Sequence, residues 1–470
     1  MNTSNTHTIS SGSLRELWRI SFPLMISFLS LFVMVFVDRI FLSFYSQGAL
    51  NAAASAGTLS WALILGWSTL ASLAEVFVAQ YNGAKQYHML GEPVWQMIWL
   101  SLLSIAFFVP AGLWGGNLLY GDNHSLNFQH HYFSYTMFFS PAAVVIAALT
   151  AFFVGQGKTA IIKWLALIGN LVNILLDPIL IFGIEGYIPK LGVQGACIAT
   201  GIGLIVQAII LFCLFLKASN RLHFGTNNWK FKWTPFLRSV KVGLPPAIFV
   251  FIELLGWSIF YWMMHKISLE HILVASICQS ILLLFVFFGL GIEKGAAIVA
   301  GNLIGASKIT QVHHVLRSGY KMLLLFSLVV IFFFIVYPDL LINLFLQNPQ
   351  TMDNSLSLAE MSTEAVARIR STIRVGLALT AIYMIIEDMR WLINGILTAA
   401  GDTFFLMLSG AGCVWLFLLL PTYFFILKPA ADIRLAFVIW VGYSLIATFL
   451  FYLRYKQGKW KEKALMISLE

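Results

Sequence analysis

Long apolar runs separated by short polar segments dominate this chain. Twelve of them approach the roughly 20 residues that an α-helix needs to cross the hydrocarbon core of a bilayer. No stretch shows the alternating ten-residue pattern of transmembrane β-strands. The pattern therefore predicts an all-α integral membrane protein with 12 transmembrane helices. The predicted spans are residues 20–44, 52–80, 94–120, 130–155, 160–184, 193–217, 242–264, 271–300, 320–346, 372–400, 403–427 and 433–455.

The composition also indicates a membrane protein. Of the 470 residues, 59% are hydrophobic and only 10% are charged, and the mean hydropathy is +0.84. Soluble domains carry about 25% charged residues. Residues 1–12 are polar and the apolar run after them is too long for a cleavable signal peptide, so we expect the first span to be retained.

Basic residues are distributed unevenly between the two predicted membrane faces. The net charge is +9, and 19 of the 29 Lys and Arg lie at the termini and in the even-numbered loops, against seven on the other face. This asymmetry follows the positive-inside rule and predicts that both termini are cytoplasmic. It also accounts for the basic charge without a nucleic-acid partner.

Several short motifs recur in the two halves of the chain. Pro23 in “RISFPLMISF” opens span one, and Pro245 in “KVGLPPAIFV” opens span seven. Gly83 and Gly305, at the ends of spans two and eight, are separated by the same interval as these prolines. The interval between “GQGKT” after span four and “AAGDT” after span ten is longer, and we assign the insertion to segment 348–370.

The repeat predicts two six-helix bundles of the same orientation, because six spans return the chain to its starting side. Parallel repeats of this kind build secondary transporters, whose substrate site lies between the halves near the midplane. We predict an N-terminal lobe at residues 1–220 and a C-terminal lobe at 221–470. The basic segment 218–241 would link them on the cytoplasmic side.

Sequence signatures of nucleotide binding and catalysis are missing. “GQGKT” resembles a phosphate loop, but Phe152 stands where that motif requires a glycine five residues before Gly157. There is no HExxH or GxSxG motif, and no mid-span Cys or His lies beside a second catalytic residue type. We therefore expect neither an enzyme nor a nucleotide-driven pump.

Polar residues in the first predicted lobe point to an ion site. Asn170, Asn173 and Asp177 are spaced three and four apart, which places them on one helix face. At about 1.5 Å per residue, Asp38, Asp177 and Thr200 lie in one layer of the bilayer. A carboxylate at the bilayer centre costs at least ~2.5 kcal/mol and usually marks function. The cluster suits a small cation or a shared proton.

The second predicted lobe has acids of its own. Glu253 lies within span seven, and Tyr383 and Glu387 share one face of span ten. Asp388 and Arg390 are close by, and an internal ion pair between those two is the alternative to a functional role. Rings and carboxylates that line one cavity together favour lipophilic cations.

Four motifs together resemble the multidrug and toxic compound extrusion (MATE) transporters, in particular their NorM-like bacterial branch. They are “GNLVNILLDPILIFG” with its continuation “LGVQGACIAT”, “VDRIFLS” around Asp38, “GLPPAIFVFIE” up to Glu253, and “GDT” at 401–403. The resemblance covers roughly residues 14–455. It implies two six-helix bundles around a central cavity, and antiport that exports cationic, lipophilic organic compounds in exchange for Na⁺ or H⁺.

The resemblance also implies which residues form the sites. A first-lobe cation or proton site maps onto Asp38, Asn173, Asp177 and Thr200, which would also be the Na⁺ ligands, with Asn170 on the supporting polar face and the Ala196 carbonyl as a further ligand. A second-lobe site maps onto Glu253, Tyr383 and Glu387. The family often has Asp where this chain has Glu387, so Asp388 is a second candidate for the functional acid of that helix.

We expect no cofactor apart from the coupling ion, and a monomer in the bacterial inner membrane. The expected partners are cationic amphiphilic small molecules and the lipid bilayer, with no nucleic acid and no nucleotide. The alternative is a flippase of the same superfamily that moves lipid-linked oligosaccharides or polysaccharides, which needs basic residues in its cavity. The in-span acids considered, Asp38, Asp177, Glu253, Glu387 and Asp388, outnumber Arg39, Lys294 and Arg390 and favour cationic cargo.

Overall fold

A computed structural model describes residues 11–121, 127–346 and 363–463. Twelve helices in it are long and apolar enough to cross a membrane, which confirms the predicted number. We number them α1 to α12. They are Leu14–Tyr45, Gly48–Gly83, Tyr87–Tyr120, Asn127–Gly155, Thr159–Phe182, Val193–Phe215, Trp233–Ile267, Val286–Gly305, Ile309–Val336, Val366–Ala399, Thr403–Leu427 and Arg434–Gln457.

Several helices begin earlier than hydropathy predicts. α1 starts at Leu14 and α7 at Trp233, so Pro23 and Pro245 lie inside helices rather than opening them. The added turns carry polar and basic residues that suit the membrane interface, where a helix continues although its hydropathy falls. The predicted linker 218–241 is correspondingly shorter, with a helix at Ala218–Phe224 and only residues 225–232 between it and α7.

Two predicted spans are divided in the structure. The span predicted at 271–300 consists of a helix Leu269–Leu283 followed by α8, with a break at 284–285. The span predicted at 320–346 ends with α9 at Val336, and Pro338 begins a separate short helix. Proline cannot donate the backbone hydrogen bond that would continue α9. Most of the predicted insertion 348–370 lies outside the described residues, which resume at residue 363.

The two halves of the chain repeat one packing pattern. In the first half, α1 packs on α5, α2 on α4, and α4 on both α3 and α6. The second half repeats each pair six helices later, with α7 on α11, α8 on α10, and α10 on both α9 and α12. The halves meet where α1 and α2 contact α8 and where α2 contacts α7.

The halves are joined by two equivalent hydrogen bonds at the end of the bundle where α2 and α8 finish. We call this the terminal end, because 12 crossings return the chain to the side on which it starts. Gln80 Nε2 donates to the carbonyl of Ala399 at 2.7 Å, and Asn302 Nδ2 donates to the carbonyl of Gly155 at 3.0 Å. The donors occupy equivalent positions in the sequence repeat, as do the acceptors, so each half supplies the same bond to the other.

Two glycines allow this close approach. A Cβ at Gly83 would lie 2.0 Å from the carbonyl oxygen of Asn302, and one at Gly305 would lie 1.9 Å from that of Gln80. Only glycine lets helix backbones come this near to each other. The terminal end is therefore closed by backbone contact between α2 and α8.

An ion pair reinforces the same interface. Lys294 of α8 pairs with Glu75 of α2, and its Nζ also lies 3.4 Å from Ser72 Oγ. Only 6% of the Glu75 side chain is exposed, against 31% for Lys294. A charged group in such a setting is tolerated because its partner is present.

The segment between the halves is fastened to the first half. Trp95 and Trp99, in the first half of α3, donate their indole N–H groups to the carbonyls of Thr226 and Trp229 at 2.8 and 2.9 Å. Gln96 donates to the carbonyl of Lys230 at 3.1 Å. Residues 225–232 therefore pack as part of the first bundle.

The glycine contact predicts a steric effect on stability. Gly305→Ala should lower the thermal unfolding midpoint of the purified protein, because overpacking at a contact without free space costs about 1–3 kcal/mol. The matched control is Gly412→Ala in α11, where a Cβ would meet no described atom within 4 Å beyond the neighbouring backbone of its own helix. Equal midpoints for the two variants would contradict the proposed role of the contact.

The ion pair between the halves predicts partial compensation. Glu75→Gln should destabilise the protein by about 2 kcal/mol, because a charged hydrogen bond is lost and Lys294 keeps its charge without a counter-ion. The double variant E75Q/K294M should recover most of that loss in thermal unfolding. As a control, Asp432→Asn should have little effect, since Asp432 is 62% exposed, its Oδ2 lies 4.0 Å from Arg434 Nε, and an amide oxygen keeps the hydrogen bond that Oδ1 accepts from the Arg434 N–H at 2.8 Å. A double variant no more stable than E75Q would argue against the pairing.

Candidate ion and substrate sites

The structure brings together the four side chains that the sequence analysis assigned to a first-lobe site. Asn173 Nδ2 lies 3.1 Å from Thr200 Oγ1 and 3.4 Å from Asp177 Oδ1, which links α5 to α6. The carboxyl group of Asp38 on α1 interacts with the side chains of all three. Three helices therefore contribute to one cluster, which we call the Asp38 site.

Close helix packing positions this site. A Cβ at Gly203 of α6 would lie 2.7 Å from the carbonyl oxygen of Gly169 on α5. This contact lies about one turn from Asn173 on α5 and from Thr200 on α6, so the two polar side chains meet across the helix interface. Asn170 has a different role: its Nδ2 donates a hydrogen bond to Ser30 Oγ at 2.9 Å. This bond connects α5 to α1 on the side of the site that is nearer the terminal end.

Several oxygens of the Asp38 site are free to accept. Within the described residues, Asp38 Oδ1, Asp177 Oδ2 and Asn173 Oδ1 are buried without a hydrogen-bond donor. Buried acceptors normally find a donor, so three together are exceptional. Carboxylate and amide oxygens are hard ligands that suit a small cation, and two adjacent carboxyl groups also suit a shared proton.

The Ala196 carbonyl and Arg39 lie beside the Asp38 site and bear on how it could bind an ion. The Ala196 carbonyl, a ligand implied by the family resemblance, already accepts a hydrogen bond from Thr200 Oγ1 at 3.0 Å. Its role as an ion ligand stays a prediction. Arg39 is next to Asp38 in sequence and its charge acts on that carboxyl group, but its side chain is exposed. The two carboxyl groups of the Asp38 site outnumber this one base.

The acids of the second half surround an arginine. Arg390 Nε donates to Glu387 Oε1 at 2.8 Å, and its Nη2 bonds to the same oxygen. The Nη2 atom also lies 3.6 Å from Glu253 Oε1 on α7. We call these three residues the Arg390 cluster.

The arginine has a different partner from the one considered in the sequence analysis. The alternative pair of Asp388 with Arg390 is wrong, because residues two apart on a helix point in different directions. Asp388 Oδ1 instead lies against α8, 2.3 Å from where a Cβ of Gly289 would be. Of the two neighbouring acids, Glu387 shares a site with Glu253 and Asp388 does not.

Aromatic rings surround the Arg390 cluster. Tyr383, one turn before Glu387, is buried, and its ring lies 6.4 Å from Trp257 and 5.6 Å from Trp440. The Arg390 guanidinium lies 5.5 Å from the centre of the Phe451 ring. Tyr383 therefore belongs to a ring cluster formed by α7, α10 and α12, next to the acids that the sequence analysis grouped with it.

The sequence analysis did not consider Glu75 and Glu293, which lie within predicted spans. Glu75 forms the ion pair with Lys294 described above, and Glu293 Oε1 accepts a hydrogen bond from Asn394 Nδ2 at 2.6 Å. The signal was available, because both residues interrupt apolar helices in the same way as Asp38. Their partners lie on other helices, which spacing along one helix does not show.

Comparisons with known proteins agree with this architecture. The MatE family model matches residues 23–179 and again residues 245–424. The two matches start at Pro23 and Pro245, the prolines that mark the repeat. Together they cover more than half of the chain.

Curated relatives and solved structures add detail. The probable multidrug resistance protein NorM of Thermotoga maritima is 24% identical over 348 residues, covering 73% of this chain and 74% of that protein. The protein of the same name from Bacillus subtilis is 23% identical over 346 residues, covering 72% and 76%. A crystal structure of MATE in complex with MaD3S has a TM-score of 0.80 at 17% identity, covers 96% of this chain and 97% of its own, and shows the shared fold. The chain therefore belongs to the MatE family, among the NorM-like MATE transporters.

Proposed function

We propose that this protein is a secondary active multidrug exporter that exchanges organic cations for Na⁺ or H⁺. The observation that carries this proposal is the Asp38 site, where buried oxygens of Asp38, Asp177 and Asn173 have no donor among the described residues. The names of the NorM relatives, which describe multidrug resistance, support the direction and breadth of transport. No chemical conversion of the substrate is part of this function.

Coupling follows from the electrostatics of the Asp38 site. Two carboxyl groups in one desolvated site repel each other when both are ionised, so one proton or one small cation stabilises them together. Binding of the proton or cation draws α1 and α5 together, because Asp38 lies on α1 and Asp177 lies on α5. If the loaded and empty arrangements differ in their affinity for the drug, ion entry releases drug and drug binding releases the ion.

Transport also requires the closed end to open. We propose that the lobes predicted at residues 1–220 and 221–470 move against each other, with residues 225–232 moving with the first lobe to which they are bonded, and that the terminal end with both chain termini faces the cytoplasm. Opening towards the cytoplasm then breaks the bonds of Gln80 to Ala399 and of Asn302 to Gly155. The protein works as a monomer in the bacterial inner membrane.

The flippase alternative is less well supported. A flippase for lipid-linked sugars needs basic side chains that are free to bind a pyrophosphate. Lys294 is paired with Glu75, and Arg390 with Glu387 and Glu253. Neither is available for an anionic headgroup, whereas the Asp38 site offers free acceptors to cations.

Asp38→Asn should abolish gradient-driven export of ethidium from proteoliposomes, because the amide removes the charge that holds the coupling ion. Na⁺ and H⁺ gradients imposed separately on the unsubstituted protein identify the ion. Asp432→Asn is the matched control, since Asp432 is exposed in the turn before α12 and should leave export unchanged.

Export by the Asp38→Asn protein at the rate of the control would refute the role of Asp38 in coupling. Export by the unsubstituted protein with neither gradient would refute antiport itself.

A further inference from the structure

The acidic site of the second half already contains a cation. The side chain of Arg390 is only 2% exposed, and it is paired with Glu387 and lies 3.6 Å from Glu253. An ionised guanidinium in a membrane span needs such partners. The residues that the family resemblance assigns to cation binding are therefore occupied by a side chain of the protein itself.

The two acids hold this arginine unequally. Glu387 is one turn from Arg390 on the same helix, accepts two hydrogen bonds from it, and is 7% exposed. Glu253 comes from α7, lies beyond hydrogen-bonding distance at 3.6 Å, and is 28% exposed. A solute that approaches the Arg390 cluster therefore meets Glu253 first, and Glu253 is also the acid that is more weakly engaged.

We propose that Arg390 is the resident cation of this site and that an organic cation binds by displacing it from Glu253. This inference rests on the proposed function, in which the substrate is an organic cation. Glu387 keeps the guanidinium paired during the exchange, so no buried charge is left without a partner. Trp257, one turn after Glu253 on α7, supplies a ring face for a lipophilic cation.

The class of substrate and the separate roles of the Arg390 cluster and the Asp38 site follow from this arrangement. A monovalent lipophilic cation matches the single negative charge of Glu253 that becomes available when Arg390 is displaced. The guanidinium occupies the Arg390 cluster, where Glu387 Oε2 is the one buried acceptor of the cluster without a donor among the described residues, so we assign the coupling ion to the Asp38 site, where three buried acceptors lack one. Arg390 is thus a positioning residue that sets how tightly Glu253 binds substrate.

A gain of affinity distinguishes this role from a purely structural one. The double variant E387Q/R390Q removes the guanidinium together with its buried partner and leaves Glu253 unengaged. It should bind tetraphenylphosphonium about tenfold more tightly than the unsubstituted protein, which corresponds to about 1.4 kcal/mol. Equilibrium dialysis of the full-length purified protein measures this, with thermal unfolding as the check on folding. If the Arg390 cluster only holds α7 and α10 together, the double variant would instead bind tetraphenylphosphonium more weakly or with unchanged affinity.

Two further variants test whether the gain of affinity arises from the release of Glu253. The triple variant E253Q/E387Q/R390Q should lose the gain, because Glu253 is the group that is released. Arg390→Lys keeps the charge and should bind within about twofold of the unsubstituted protein. The proposal is overturned if the folded double variant gains no affinity, if the triple variant keeps the gain, or if Arg390→Lys also gains tenfold.

The Asp38→Asn variant separates this proposal from the proposed function. It should lose gradient-driven export, and adding E387Q/R390Q to it should still raise its affinity for tetraphenylphosphonium about tenfold. If it still exports, antiport through Asp38 fails, and the affinities of the Arg390 variants still decide the role of the arginine.

Discussion

Backbone contact between α2 and α8 is the constraint on which the arrangement of the two halves depends. Gly83 and Gly305 bring each backbone against the other, and Gln80 and Asn302 then reach carbonyl groups across the interface. Each half supplies its residues at equivalent positions. One pair of contacts at equivalent positions therefore closes the terminal end.

The free-energy cost of charged groups within the membrane spans is met in three ways. In the interface between the halves, Glu75 and Lys294 neutralise each other. In the second half, Arg390 is paired with Glu387 and lies near a second acid, Glu253. In the Asp38 site, buried acceptors are left without a donor among the described residues. The first two solutions hold helices together, and the third leaves room for an ion, which makes the two halves chemically unequal despite their common fold.

Much of this structure follows from local sequence rules. The number of spanning helices follows from hydropathy, and the meeting of Asn173, Asp177 and Thr200 follows from helical spacing and depth. The approach of Glu253 to Arg390 did not follow, because the fold brings α7 to α10, whereas the pair of Glu387 with Arg390 was accessible from helical spacing. The pair of Glu75 with Lys294 was not predictable for the same reason: each residue is visible in its own helix, but their contact depends on how the halves dock.

The fastening of residues 225–232 to α3 limits where the chain can flex. Thr226, Trp229 and Lys230 are each held by a side chain of the first bundle. Lys232 is held as well, since its backbone N–H donates to Gln96 Oε1 at 3.0 Å and its Nζ pairs with Glu92 at 2.7 Å. Any rocking of one bundle against the other must then be absorbed by a few backbone torsions from Trp233 onwards, where α7 begins. The connection between the halves thus acts as a short hinge, because the segment before it is bonded to the first bundle and cannot flex freely.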